Sequence, residues 1–313
     1  MTDAEYTEDA KSSQHKIRHL VLSGGGGTGF AYYGALRESH KDGFWNIDDI
    51  HTMHGISVGA IFISMIAMLK HISWEDLNDY CIKRPWETVF GFSPDKILKA
   101  YTNIGICGRE TVEMIVAPVL NAVDLPLNTT MQQFFDFTGF ETHYYTTNLD
   151  KYSLVDISYK THPEWELVDA IYSSCALPLL FRPNRVNEEV YVDGGFLCSY
   201  PLQHCIAQVE NQDEIFGLNK RNIIGNPPTS KKEPTKEYEN IIDYLLDIIS
   251  KTAKKLIIDN TKSKYTMEIS DTVTSAWEVY EAVKTKESRA AKIQYGADSW
   301  QQYKQKIGFV ALS

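Results

Sequence analysis

The 313-residue sequence predicts an α/β fold, a sheet of mainly parallel strands covered by helices, because two strand, glycine turn, helix units follow one another. In the first, IRHLVLS from Ile17 reads as a short buried strand, Gly24 to Gly27 break it, and FAYYGALRES follows with its apolar residues at helical spacing. In the second, a short strand around Ile50 to Met53 ends in G-I-S-V-G at Gly55 to Gly59, and an apolar helix continues through Leu69. A strand returned to its own sheet through a helix crosses over right-handed, so two such units lay parallel strands side by side.

The rest of the chain elaborates this core. Ser73 to Leu127 is helical in pattern, is broken by Pro85, Pro94, Gly105, Gly108 and Pro118, and lacks strand alternation, so residues 73–127 are expected to form an inserted helical cap. The sheet resumes with HYYTTNL and YSLVDISY, alternating segments joined by a turn at Asp150 and Lys151. WELVDAIYSSCALP reads as a helix stopped before Pro178, EVYVDGGF as a short strand, and Glu214 to Leu218 as a last strand. Residues 1–16 are polar and patternless, which predicts a flexible tail, and NPPTSKKEPTK at Asn226 to Lys236 predicts a linker. Residues 226–313 are therefore expected to be a linker and a C-terminal helical extension. In that extension Ile241, Leu245, Ile248, Ile249, Ala253 and Leu256 line one face; it suits packing on the core, and its neighbouring lysines also suit a membrane or partner.

Composition narrows the function classes. With 43% hydrophobic and 23% charged residues the chain is ordinarily globular, and its net charge of −10 opposes binding to a phosphate backbone, so no nucleic-acid partner is expected. Five widely spaced cysteines without a C-x-x-C pair predict neither a disulfide framework nor a zinc site. The first ten residues lack the basic and apolar regions of a signal peptide. The longest nearly apolar run, Ile56 to Leu69, falls short of the roughly 18 to 20 residues that cross a bilayer. A reduced, cytoplasmic protein without a transmembrane segment is expected, with peripheral contact to membranes.

Three elements carry chemistry. The turn Gly24–Gly29 satisfies G-x-G-x-x-G, but the end of the second strand has His54 and G-I-S-V-G where a dinucleotide fold places a ribose-binding acid, and Phe30 stands where a P-loop needs lysine. Dinucleotide binding is thus the more distant alternative. What the turn offers is consecutive backbone N–H groups at a helix N-terminus, with no side chains to block a ligand's approach, where negative charge is favoured. Ser57, flanked by Gly55 and Gly59 at a strand-to-helix junction, sits in the context of a nucleophile elbow. Serine needs a base. A Ser, Asp, His chain order built on Asp193 would have to end at His204, and the elbow follows only two strands, so that triad is disfavoured. The remaining candidate is Asp193 itself, at a strand end and freed by Gly194 and Gly195, since a carboxylate within hydrogen-bond reach serves directly as base. His54 is read as a packed neighbour of the elbow.

In this order the three elements resemble the patatin-like phospholipases: LVLSGGGGTGFAYYGAL resembles the family's glycine-rich segment, GISVGAI its serine elbow, and SSCALPLLFRP with YVDGG and Tyr200-Pro201 its aspartate segment. The resemblance spans roughly Lys16 to Gly225. It implies a three-layer α/β/α sandwich, a patatin-like catalytic domain over residues 17–225, and a Ser-Asp dyad without histidine. Carried onto this chain, Ser57 is the nucleophile, Asp193 its general base, and the amides of Gly25, Gly26 and Gly27 the oxyanion hole. The activity implied is hydrolysis of fatty-acyl esters, of phospholipase A or lysophospholipase type, on lipid at a membrane or micelle interface, with neither metal nor cofactor. One residue departs from the pattern: Thr28 stands where the family usually has arginine or lysine. That substitution predicts a preference for neutral or zwitterionic esters, or a cation recruited from elsewhere in the fold. It also supports the alternative of a patatin-like lipid- or partner-binding protein with weak turnover. Specificity is expected from the cap and from the aromatic segment Trp86 to Phe92, whose rings suit contact with a lipid interface but are expected to be buried in the cap.

Overall fold

Strand β1, His19–Leu22, is buried along its whole length and lies at the heart of a sheet that has eight strands among the described residues. The computed structural model describes residues 16–90, 102–222, 261–271 and 284–311, with the single positions 245 and 248. The expected tail (to residue 15), the linker at 226–236 and, but for those two positions, the amphipathic helix over 241–256 lie outside the described residues, as do residues 91–101 of the cap.

The other strands are β2 (Thr52–Ile56), β3 (Glu141–Asn148), β4 (Ser153–Ile157), β5 (Asn184–Val186), β6 (Glu189–Asp193), β7 (Ile215–Asn222) and β8 (Tyr265–Asp271). Strands β3, β2, β1, β7 and β8 run parallel in that order, while β4, β6 and β5 join antiparallel at the β3 side. The sheet is thus mixed, parallel at its centre and antiparallel at one flank. The two strand-helix units are present, although the second strand begins and ends a few residues later than its apolar pattern suggests.

Strand β8 corrects the reading of residues 226–313 as purely helical beyond a linker. It pairs with β7 from Phe216↔Tyr265 to Asn222↔Asp271, so β7 is not the last strand and the C-terminal stretch adds one to the sheet. The pattern that places it is half-buried alternation: Met267 and Ile269 are buried with Glu268 exposed between them.

Helices α1 (Gly29–Lys41) and α2 (Val58–Ile66) follow β1 and β2. Alternation divides the sheet's faces. Leu20, Leu22, Met53, Tyr144, Phe216, Leu218, Met267 and Ile269 join the main core with α1 and α2, whereas Val21 and Ile215 pack with Tyr200, Leu202 and Cys205 in a separate cluster. The cap comprises α3 (Trp74–Lys83), α4 (Trp86–Phe90) and α5 (Arg109–Asn121), followed by α6 (Met131–Thr138). Trp86 is buried against Phe30 and Tyr80, ring centroids 5.5 Å away in each case, so the described start of the aromatic segment packs inward. Arg109 ties the cap to α7 (Leu167–Cys175), pairing with Glu166 and, at 2.6 Å, with Asp169.

The last described helix, α9 (Lys286–Ile307), lies across α1 so closely that a methyl on Gly34 would sit 1.9 Å from the Ile293 carbonyl oxygen and one on Gly296 1.9 Å from that of Ala31. Its buried Arg289 donates to the carbonyls of Cys81, Ile82 and Arg84, satisfying the C-terminal end of α3. Among the described residues no helix is long and apolar enough to cross a membrane.

Candidate active site

The site begins with strand register. Leu22 pairs with Gly55 across β1 and β2, so the glycine turn and the G-I-S-V-G loop leave the sheet at the same edge and the same level. Strand β3 has β4 along Tyr144–Asn148 on one side, and its other side is shared: β2 takes Glu141–Tyr145 and β6, running the opposite way, takes Thr146–Asn148. The C-terminal ends of β2 and β6 therefore meet end to end, with Ile56 opposite Tyr145 and Asp193 opposite Thr146. Ser57 follows Ile56. Residues 136 positions apart are brought together by this abutment, with the Ser57 hydroxyl near enough to the Asp193 carboxyl to lower its pKa.

Ser57 adopts φ 54°, ψ −125°, a left-handed strain for a residue with a side chain, and α2 starts at the next residue. The turn is held from beneath: a methyl on Gly59 would sit 2.6 Å from the Leu22 carbonyl oxygen, and one on Gly55 2.7 Å from the Gly59 carbonyl carbon. These two glycines let helix and strands approach as an elbow requires. The Ser57 amide donates to Ser174 Oγ (3.0 Å), and its carbonyl accepts from Cys175 Sγ (3.0 Å) as well as from the amide of Ala60 (2.9 Å).

Asp193 is only 3% exposed. Burial pushes its carboxyl up to about 6, opposed by the hydrogen bond from the Gly195 amide (2.7 Å) and by the nearby Ser57 hydroxyl, which favour the ionised form. A carboxyl poised there is ionised at neutral pH yet retains affinity for a proton, as a general base requires. Gly194 must be glycine, since a methyl there would sit 2.3 Å from the Tyr145 carbonyl oxygen.

The glycine turn lies alongside. A methyl on Gly24 would touch the Ser57 Cβ at 3.4 Å. Gly24 N–H is committed to the Ser199 carbonyl (3.0 Å) and Thr28 N–H to that of Gly25 (3.2 Å), so Gly25, Gly26 and Gly27 form the stretch between two committed amides. Gly25 and Gly26 are partly exposed, like Ser57, while Gly27 is buried; Gly26 is left-handed at φ 56°. Gly29 opens α1, tight against Phe62 and Val58. Thr28 is buried, and its hydroxyl folds back to donate to the Gly25 carbonyl (3.0 Å), closing the turn in which the family pattern has a cation. A different cation stands beside the loop: a methyl on Gly25 would sit 3.0 Å from Lys220 Cδ of β7, whose amide donates to Ser23 Oγ (2.9 Å).

The histidines take other places. His54 is fully buried, stacked on His143 (centroids 4.3 Å apart) and bonded to Tyr145 Oη (2.8 Å) and Thr52 Oγ1 (3.0 Å); burial first, then the neighbouring histidines, keep it neutral. It lies on the elbow's own strand β2, a packed neighbour of the elbow as expected. His204 is exposed on the short helix α8 (Leu202–Ile206) against the Tyr145 ring, centroids 5.2 Å apart. Among the described residues no three His, Cys, Asp or Glu side chains converge as a metal site would. Ser174 and Cys175, which touch the elbow directly, fall in the SSCALPLLFRP segment that carries the family resemblance, but nothing in the sequence assigns them a role.

Among known proteins, the chain is 24% identical over 261 residues to uncharacterized protein R571 of Acanthamoeba polyphaga mimivirus, covering 83% of this chain and 84% of that one. It is 25% identical over 231 residues to probable lipid hydrolase 463L of Invertebrate iridescent virus 6, covering 70% and 76%. Among solved structures it is similar to VipD from Legionella pneumophila, at 14% identity and TM-score 0.47 over 93% of this chain and 67% of that one. It is also similar to ExoU in its complex with SpcU from Pseudomonas aeruginosa, at 14% identity and TM-score 0.42 over 93% and 52%. The patatin-like phospholipase family model matches residues 20–206, a span that holds the glycine turn, the elbow and the buried aspartate, and the chain belongs to that family.

Proposed function

We propose that this chain is a serine lipid acyl hydrolase, of phospholipase A or lysophospholipase type, that cleaves fatty-acyl esters through Ser57 and Asp193. Family membership supports lipid hydrolysis in general, and the similarity to a viral protein named as a probable lipid hydrolase agrees with it. The observation that carries the finer reading is the strand register that sets Ser57 and the buried Asp193 side by side, near enough for the Ser57 hydroxyl to lower the carboxyl's pKa, beside a turn of glycine amides.

The chemistry runs in two steps. Ser57 Oγ attacks the ester carbonyl carbon while its proton passes to Asp193, and the carbonyl oxygen takes up negative charge facing the amides of Gly25, Gly26 and Gly27. Collapse expels the alcohol, which leaves with the proton held by Asp193, and the acyl group stays on Ser57. Asp193 then takes a proton from water, the resulting hydroxide attacks the acyl-enzyme, and as the acyl–oxygen bond breaks Asp193 returns the proton to Ser57 Oγ, releasing fatty acid and free Ser57. Each measured oxyanion donor elsewhere is worth about 2.7 to 4 kcal/mol. A structural role for the glycine turn, tight packing of β1 against α1, coexists with this one.

The headgroup preference follows from Thr28. With its hydroxyl turned into the loop, Thr28 offers no charge to an anionic headgroup, and neutral or zwitterionic esters are favoured. Purified protein incubated with phosphatidylcholine, phosphatidylglycerol and monoacylglycerol should release fatty acid from the first and third at least as fast as from the second. Ser57→Ala should release none. A strong preference for phosphatidylglycerol would contradict the neutral preference and point to Lys220 as the recruited cation. Lipid binding without release by the wild type would replace hydrolysis with the binding-protein reading.

A further inference from the structure

The end-to-end meeting of β2 and β6 along one side of β3 creates a mechanical problem. At the junction the chain at Ser57 turns away from β3 into α2, so the ladder between β2 and β3 stops just where the reacting side chain must be held most accurately. A backbone at φ 54° persists only if its surroundings determine it.

The last turn of α7 fills that junction. Ser174 Oγ accepts from the Ser57 amide (3.0 Å) and donates to the Tyr145 carbonyl (2.7 Å), so one hydroxyl stands between the parting strands as a ladder bond would. Cys175 Sγ donates to the Ser57 carbonyl (3.0 Å), so both backbone groups of Ser57 are gripped by adjacent side chains. Burial drives the Cys175 thiol well above its ordinary range, so it stays protonated and keeps that donor. The next residue reaches the other partner, because the Ala176 carbonyl accepts from the Asp193 amide (3.0 Å). Ser173 fixes the segment in turn: its carbonyl accepts from Thr146 Oγ1 (2.9 Å) and its hydroxyl from Asn184 Nδ2 (2.9 Å). Three consecutive residues, Ser174 to Ala176, thus contact the backbones of Ser57 and Asp193, and Ser173 anchors them.

We infer that Ser174 and Cys175 are positioning residues, which hold the strained Ser57 backbone in register with Asp193 so that nucleophile and base meet. They act through Ser57 and touch no substrate atom. The inference rests on Ser57 being the nucleophile. Its signature is a fall in turnover without a fall in binding, since misplacement of a reacting group by about 1 Å can cost about 10²-fold. The hydroxyl of Ser174 cannot be deleted silently, because both the Ser57 amide and the Tyr145 carbonyl lose a buried partner.

The test compares Ser174→Ala, Cys175→Ala and Cys175→Ser with wild type and Ser57→Ala on a soluble p-nitrophenyl ester, with thermal midpoints measured alongside. Ser174→Ala is expected to lower kcat by about 10²-fold with KM within about twofold of wild type. Cys175→Ala should lower kcat in the same manner, and Cys175→Ser, which restores a donor to the Ser57 carbonyl, should recover most of the loss. Full kcat in both alanine variants, with Ser57→Ala inactive, overturns the positioning role and leaves the nucleophile assignment standing. Activity retained in Ser57→Ala overturns both. If Ser174→Ala does not fold, the two Cys175 variants decide: equal kcat in Cys175→Ala and Cys175→Ser, at whatever level, overturns the inference.

Discussion

Asp193→Asn is expected to lower turnover by about two to four orders of magnitude, the usual contribution of a general base, while leaving the protein at least as stable as wild type at pH 8. The two effects have one cause. Burial raises the Asp193 carboxyl from its ordinary 3.8 to about 6, so the folded protein binds this proton more tightly than the unfolded chain does. The stability this group contributes is therefore present below its unfolded value and is lost as pH rises from about 4 to about 6. Above that range the ionised carboxylate costs the fold about 3 kcal/mol, since each tenfold in proton affinity is worth about 1.4 kcal/mol. Asparagine removes the charge and keeps an acceptor for the Gly195 amide. Calorimetry should show a raised midpoint for Asp193→Asn at pH 8 and a smaller difference at pH 4. A variant destabilised equally at both values would mean that the carboxylate holds the fold together and is not a strained functional group. His204→Ala, by comparison, should change turnover little, because His204 is an exposed residue against Tyr145.

The second large effect is on the pH profile of the wild type. The base acts only when ionised, so kcat/KM should fall about tenfold per pH unit below pH 6 and level off above it. Neighbouring groups do not blur this limb: His54 is held neutral by burial, and the Cys175 thiol is driven upward. His143 differs, since burial pulls its pKa down but hydrogen bonds with Asp156 and Glu141 outweigh that and raise it. The assignment therefore depends on the variant. In Asp193→Asn the residual rate should lose the limb near pH 6, and a limb that persists would place the titrating group elsewhere.

Much of the site was legible because its parts are local. A glycine run after a strand and a serine between glycines before a helix each encode their own geometry, and the structure puts both at the same sheet edge. Asp193 was legible as a carboxylate beside two glycines, but its meeting with Ser57 depends on β2 and β6 sharing one side of β3, a pairing that no local pattern specifies. The same holds for Ser174 and Cys175, whose contacts reach 117 and 118 positions along the chain. Thr28 read as a missing cation, whereas its short hydroxyl closes the turn in a way a long basic side chain would not. Strand β8 was missed because only Met267 and Ile269 mark its inner face, in a stretch otherwise dominated by polar and charged residues.

A fluorophosphonate adduct, located by peptide mapping, tests the assignment of Ser57 and Asp193 most directly. The modified residue should be Ser57, the adduct should be absent from Ser57→Ala, and it should form about 10² to 10⁴ times more slowly in Asp193→Asn. An adduct on any other residue, or equal labelling of wild type and Ser57→Ala, would contradict it.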